Sequence, residues 1–219
     1  MFYCFVYQES FLAEENVNMR KKFFVIGDSI SWYYGQYLSK MLAPFADYDR
    51  KGGSKKMTEL ADMTDGVNGG HSGMVLIYVK GVLNETFFKN SDYLVLNCGI
   101  HDTKIMPETG KIQIDLETYR KNLESIISIA PMPIIWVTTT PFNLPCGDFA
   151  GRQQNIDLYN KAAVEIMAKH KIPVIDLDNF TRTLGTDIYL NGTDPCHFND
   201  AAQALQAAFI CGQLLSFIR

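Results

Sequence analysis

The stretch FFVIGDSISWYYGQYL, residues 23–38, decides how this chain reads. Its apolar run, Phe23 to Ile26, stops at Gly27-Asp28-Ser29, and a helical pattern begins at once. That is the signature of a buried strand running straight into a helix. Ser29 stands at the join. A serine there commonly caps the helix, yet a serine at the end of a buried strand is also well placed to be a nucleophile. The local residues leave both readings open.

Working outward, three further runs resemble the first: DYLVLNCG (92–99), PIIWVTTT (133–140) and IPVIDL (172–177). Each is rich in β-branched or aromatic residues and ends in small or polar ones, as buried parallel strands do. FADYDRKG (45–52) is a fifth, weaker candidate. Between them lie helical patterns over roughly 30–43, 72–88, 116–130 and 152–170, with a last one at 199–217. In the fourth, Ile156, Tyr159, Ala163 and Met167 recur at three- and four-residue steps. Such alternation predicts an α/β domain with a parallel sheet covered by helices on both faces.

Composition fits that class. The chain has 219 residues, 47% of them hydrophobic and 20% charged, with a net charge of −4. An acidic balance argues against a nucleic-acid surface, which needs a basic face. The clusters Arg20-Lys21-Lys22 and Arg50-Lys51 with Lys55-Lys56 read as solvated surface. The five cysteines, Cys4, Cys98, Cys146, Cys196 and Cys211, show no metal-type spacing and favour a reducing compartment. Residues 1–18 lack a basic leader and carry Glu9, Glu14 and Glu15. They make a poor signal peptide, and no stretch is long enough to span a bilayer. The expectation is a loose extension over 1–18, or translation starting at Met19, then a single domain over 19–219 in the cytoplasm.

Ligands of such sheets bind beyond the carboxyl ends of the strands. That rule selects Asp28-Ser29, Gly99-Ile100-His101-Asp102 and Thr138–Pro141. A serine nucleophile needs a base, and a histidine base needs an acid to fix its tautomer. His170, between Lys169 and Lys171, reads as a helix-end cation. His197 lies in NGTDPCHFNDAAQALQAA, with Asp194 three residues before it and Pro195 stiffening the link. An oxyanion also needs donors. Asn68-Gly69-Gly70-His71-Ser72-Gly73 offers the Gly70 N–H, in a turn that Ser72 would cap, and His101 offers a ring N–H.

Taken in order, these four blocks resemble the SGNH hydrolases, the GDSL-type esterase and lipase superfamily, over about residues 21–217. Gly27-Asp28-Ser29 is similar to the nucleophile block and Asn68 to Gly73 to the N-x-G-x-S-G block. Gly99 to Asp102 is similar to the G-x-N-D block, and Asp194 to His197 to the D-x-x-H block. The resemblance implies a flavodoxin-like, three-layer α/β/α sandwich with a mostly parallel five-stranded sheet. It implies Ser29 as nucleophile and, with the capping reading retained, as a second role the helix cap. His197 would be the base and Asp194 its orienter, with an oxyanion hole from Ser29, Gly70 and His101. Asp28, His71 and Thr139 would border the substrate, with Trp32, Tyr33, Tyr34 and the 138–146 loop as further candidates. No metal or cofactor is implied. His101 stands where the superfamily has Asn, and imidazole, unlike an amide, changes charge between pH 5 and 8.

The expected partner is a small-molecule or carbohydrate ester, led by short-chain or O-acetyl esters, with no nucleic acid and no membrane. Two alternatives stand beside it. One is a non-catalytic carbohydrate-binding relative of the same fold. The other is a nucleotide or phosphate binder, for which the bulky DSISWYYG stretch makes a poor anion cradle.

Overall fold

The computed structural model describes residues 20–53, 66–143 and 150–218. The expectations for residues 1–18, Met19, Lys55-Lys56, Cys4 and Cys146 lie outside them. Five strands form one sheet: β1 (Lys22–Ile26), β2 (Asp47–Arg50), β3 (Tyr93–Leu96), β4 (Ile134–Val137) and β5 (Val174–Ile175). Their order is β2-β1-β3-β4-β5, and every pairing is parallel. The order reverses between β1 and β3, so a crevice opens there at the carboxyl ends of the strands, where such sheets bind ligands.

Helices cover both faces because successive strand residues point to opposite sides. Phe23, Val25, Val95, Ile135 and Val137 share one core with α1 (Ser29–Leu42) and α7 (Asp200–Leu214), through Leu38, Leu42, Ala207, Ile210 and Leu214. Phe24, Ile26, Leu94, Leu96 and Trp136 share the other with α2 (Ser72–Val82), α4 (Leu116–Ile129) and α5 (Ala150–Lys169). Among the described residues, no helix is long and apolar enough to cross a membrane.

Several boundaries differ from the sequence reading. The expected 72–88 helix breaks after Val82 and resumes as the one-turn α3 (Thr86–Lys89). The last helix gives way to a 3₁₀ turn at Leu215–Phe217. A short helix, α6 (Leu177–Thr183), follows β5 directly, with the Asp176 side chain accepting the Asn179 N–H. Arg50 and Lys51 are not solvated surface: they are 7% and 1% exposed. The Arg50 guanidinium donates to the carbonyls of Ser31 and Val67, at 3.2 and 3.1 Å, and Lys51 Nζ donates to Gly66 O. These buried cations tie the end of β2 to the start of α1 and to the 66–70 loop.

Both helix entries near the crevice are capped by a carboxylate, not by serine. Asp28 caps α1, its Oδ1 accepting the N–H groups of Ile30 at 3.0 Å and Ser31 at 3.3 Å. Ser29 is the first helical residue, so the cap role expected of it belongs to Asp28. A carboxylate also suits the positive end of the helix dipole better than a hydroxyl. At α2 the partner comes from afar: Ser72 donates through its N–H and its hydroxyl to Asp102, just beyond β3. Burial pushes the Asp102 carboxyl up from 3.8 to about 6, and the Ser72 hydrogen bonds only partly offset this.

Two outcomes follow. Leu38, fully buried against α7, leaves a cavity when truncated, so Leu38→Ala should cost about 3 kcal/mol in urea denaturation. Between its ordinary value and about 6, folded Asp102 holds a proton that the unfolded chain has released. Its contribution to stability is therefore full below that window and declines as pH rises through it. Asp102→Asn should flatten this part of the stability–pH curve, measured by denaturation midpoints across the window.

Candidate active site

The sheet order and the α1–α7 packing bring Ser29 and His197 together across 168 positions of sequence. Ser29 Oγ lies 2.9 Å from His197 Nε2. On the other side of the ring, Nδ1 lies 3.0 Å from Asp194 Oδ2 and 3.1 Å from Oδ1. Asp194 is itself fixed: its Oδ1 accepts the N–H groups of Cys196 at 2.9 Å and His197 at 2.7 Å. Although burial works in the other direction, those N–H groups and the ring hold its carboxyl below the ordinary value. An ionised Asp194 accepts from Nδ1–H, which leaves the Nε2 lone pair facing the Ser29 hydroxyl.

The turn that carries this pair has its own brace. Asn143, beyond β4, donates its N–H to Pro195 O at 2.8 Å and its amide to Asp194 O at 3.1 Å. The Tyr33 ring packs edge-on against His197, with centroids 5.5 Å apart. Asn143 went unnoticed in the sequence because a lone Asn after a strand carries no pattern of its own.

The oxyanion candidates differ in how their N–H groups are bonded. The Ser29 N–H, at the positive end of α1, has no acceptor among the described residues. The Gly70 N–H, by contrast, donates to Asn68 Oδ1 at 2.8 Å, so it is not a free donor. Gly70 has φ +67°, a backbone that favours glycine. The loop is held against the Gly27–Ser29 turn by Gly69 N–H donating to Gly27 O at 2.8 Å.

That bond to Gly70 has a consequence for His101. A backbone N–H can only donate, so Asn68 must turn its oxygen to Gly70 and its Nδ2 to His101 Nε2, 3.4 Å away. Two donors cannot face each other. His101 Nε2 is therefore the acceptor and the ring proton sits on Nδ1. Burial, the largest influence, keeps the His101 pKa below the ordinary value against the pull of Asp28, so the ring is neutral at pH 7.

The residues expected to border the substrate divide. Asp28, 2% exposed, is committed to capping α1. Thr139 is equally buried, its hydroxyl donating to Cys98 O and its backbone paired with the Asn160 amide. Tyr34 is also core. These three side chains are buried within the fold. His71 is half-buried at the start of α2, with Nδ1 buried and without a partner among the described residues. Burial and the neighbouring His101 lower its pKa. Trp32 and Tyr33 are half-buried, and His170 pairs with Glu124 at 2.6 Å, away from Ser29.

Comparison with known proteins bears on the family and the fold. A sequence model of the GDSL-like Lipase/Acylhydrolase family matches residues 25–205. No curated protein sequence matches the chain. Among solved structures, a lipase/acylhydrolase from Enterococcus faecalis superposes with a TM-score of 0.65 at 20% identity, covering 90% of this chain and 96% of that one. A G-D-S-L family lipolytic protein from Veillonella parvula gives 0.64 at 17%, covering 88% and 97%. Axe2, an acetylxylan esterase from Geobacillus stearothermophilus, gives 0.61 at 17%, covering 90% and 94%. At such identities the likeness speaks for the fold, while the family match spans most of the domain. The chain belongs to the GDSL-like lipase/acylhydrolase family of hydrolases.

Proposed function

We propose that the chain is a serine esterase acting through Ser29, His197 and Asp194 on short-chain or carbohydrate O-acetyl esters. The observation that carries this reading is the unbroken relay from Ser29 Oγ through the His197 ring to Asp194, at 2.9 and 3.0 Å. His197 Nε2 takes the Ser29 proton as Oγ attacks the ester carbonyl. The Ser29 N–H and the His101 Nδ1–H receive the charge that develops on the carbonyl oxygen, helped by the positive end of α1. Gly70 joins as a donor only after the Asn68 carboxamide turns away. His197 then hands its proton to the departing alcohol, and a water, activated by the same ring, releases the acid from the acyl-enzyme. No residue of this sequence of steps requires a metal or an organic cofactor. The acetyl preference is supported by the acetylxylan esterase activity named for Axe2, a protein of the same fold.

Hydrolysis of p-nitrophenyl acetate and butyrate tests the reading. Ser29→Ala and His197→Ala should each lower kcat by at least about a thousandfold, as in other serine hydrolases. Acetate should be turned over faster than butyrate. Equal rates for the wild type and Ser29→Ala would overturn the proposal.

His101 separates into two tests. His101→Ala should lose about a hundredfold in kcat, the usual effect of removing one oxyanion donor. His101→Asn should keep most of the rate, because an amide also donates. It should also remove one ionisation from the acid limb of the kcat/KM profile, since the His101 pKa lies below the ordinary histidine value. An unchanged profile would exclude His101 titration from catalysis.

A further inference from the structure

One group beside the relay has no part in it. Cys196 carries a free, partly buried thiol, and its Sγ lies 4.0 Å from His197 Nδ1. We propose that Asp194, Cys196 and His197 form an inhibitory site for one thiophilic divalent cation, zinc or cadmium. Its effect on turnover rests on the esterase reading above, but its binding does not.

The geometry is that of a partly assembled coordination shell. A carboxylate oxygen of Asp194, Sγ of Cys196 and Nδ1 of His197 all lie within 4.8 Å of one another. The two shorter separations are 3.0 Å from Nδ1 to Asp194 Oδ2 and 4.0 Å from Sγ to Nδ1. Tetrahedral zinc, with Zn–S about 2.3 Å and Zn–N about 2.0 Å, sets its ligand atoms roughly 3.3–3.6 Å apart. Small side-chain rotations close the difference. The backbone is already committed: Asp194 Oδ1 is held by two N–H groups, and Asn143 braces the turn through Pro195 O and Asp194 O. The side chains of Asp194 and His197 are 22% and 29% exposed, which gives a cation a route in from solvent.

The donor set points to the ligand class. One thiolate, one imidazole and one carboxylate suit zinc and its softer congener, whereas magnesium and calcium prefer oxygen donors throughout. Binding forms metal–sulfur, metal–nitrogen and metal–oxygen bonds; the Cys196 thiol gives its proton to solvent, while the ring loses its Nδ1 proton and takes one up at Nε2, so one proton is released in all. Burial, then the Asp194 carboxylate, push the Cys196 thiol up to about 12, and the charge of the cation removes that penalty. Affinity should therefore rise with pH, by one proton released per cation bound. Once Nδ1 holds the cation, Nε2 carries the ring proton and has no lone pair to accept from Ser29, which keeps its own proton.

Two readouts test this on the intact protein. Cadmium chloride titration, followed by the thiolate-to-cadmium charge-transfer band in the ultraviolet, should saturate with a component lost in Cys196→Ser and in His197→Ala, and retained in Ser29→Ala. Zinc chloride should inhibit p-nitrophenyl acetate hydrolysis, and Cys196→Ser should raise the half-inhibitory concentration roughly tenfold or more relative to that variant's own rate. Magnesium chloride should do nothing at the same concentrations. An equal cadmium band in wild type and Cys196→Ser, or equal zinc sensitivity, would overturn the site. If the protein does not hydrolyse esters, the cadmium band still reports the site, so the two failures are distinguishable.

Discussion

The lateral packing of α1 on α7 is the constraint from which the site follows. Ser29 opens α1 and His197 stands just before α7, so the distance between them is set by how two helices share one face of the sheet. Leu38 and Leu42 on one side, and Ala207, Ile210 and Leu214 on the other, lock that spacing through fully buried apolar contacts. Interiors of this density do not deform gradually. A hydroxyl and an imidazole from opposite ends of the chain are thereby held at hydrogen-bond distance without any direct covalent link between their elements.

Around this pair, carboxylates do three different jobs according to what surrounds them. Asp28 is deeply buried but satisfied by two N–H groups at a helix start, where the dipole favours its charge. Asp194, partly exposed and held by N–H groups and an imidazole, has its pKa lowered and keeps its charge beside the ring. Asp102 sits deepest in cost, with a raised pKa, and links α2 to the loop after β3. Next door, the imidazole of His101 is neutral and its proton placed by a hydrogen bond, where the Asn of the resembled G-x-N-D block would need no such placement. Asn68 supplies through a hydrogen bond the proton placement that an amide has by its own covalent structure.

Much of this was legible in the sequence, for identifiable reasons. Buried strands such as Phe23–Ile26 and Ile134–Val137 are apolar on both faces and need no tertiary knowledge to recognise. The order of the four blocks pointed to the family. Legibility failed where a side chain's partner is remote. Asp102 reaching Ser72 and the buried Arg50 reaching Val67 O depend on contacts that no local pattern encodes, and so the basic cluster read as surface. The Asn68 acceptor of the Gly70 N–H escaped the reading for the same reason, because it is a neighbouring side chain whose rotamer the sequence does not state. The seven-residue α6 was hidden in what looked like the polar end of a strand, because Asp176 can terminate one element as readily as it caps the next.

The order of elements along the chain has a further consequence for how the protein comes into being. All five strands precede His197, and Ser29 lies at the first of them. A chain growing from its N-terminus thus has its whole sheet and Ser29 before His197 exists. Until α7 arrives, the face carrying Phe23, Val25 and Ile135 lacks part of its apolar cover. The segment that brings the imidazole also brings that cover, so the Ser29–His197 pair and the burial of the core shared by α1 and α7 are completed by the same event.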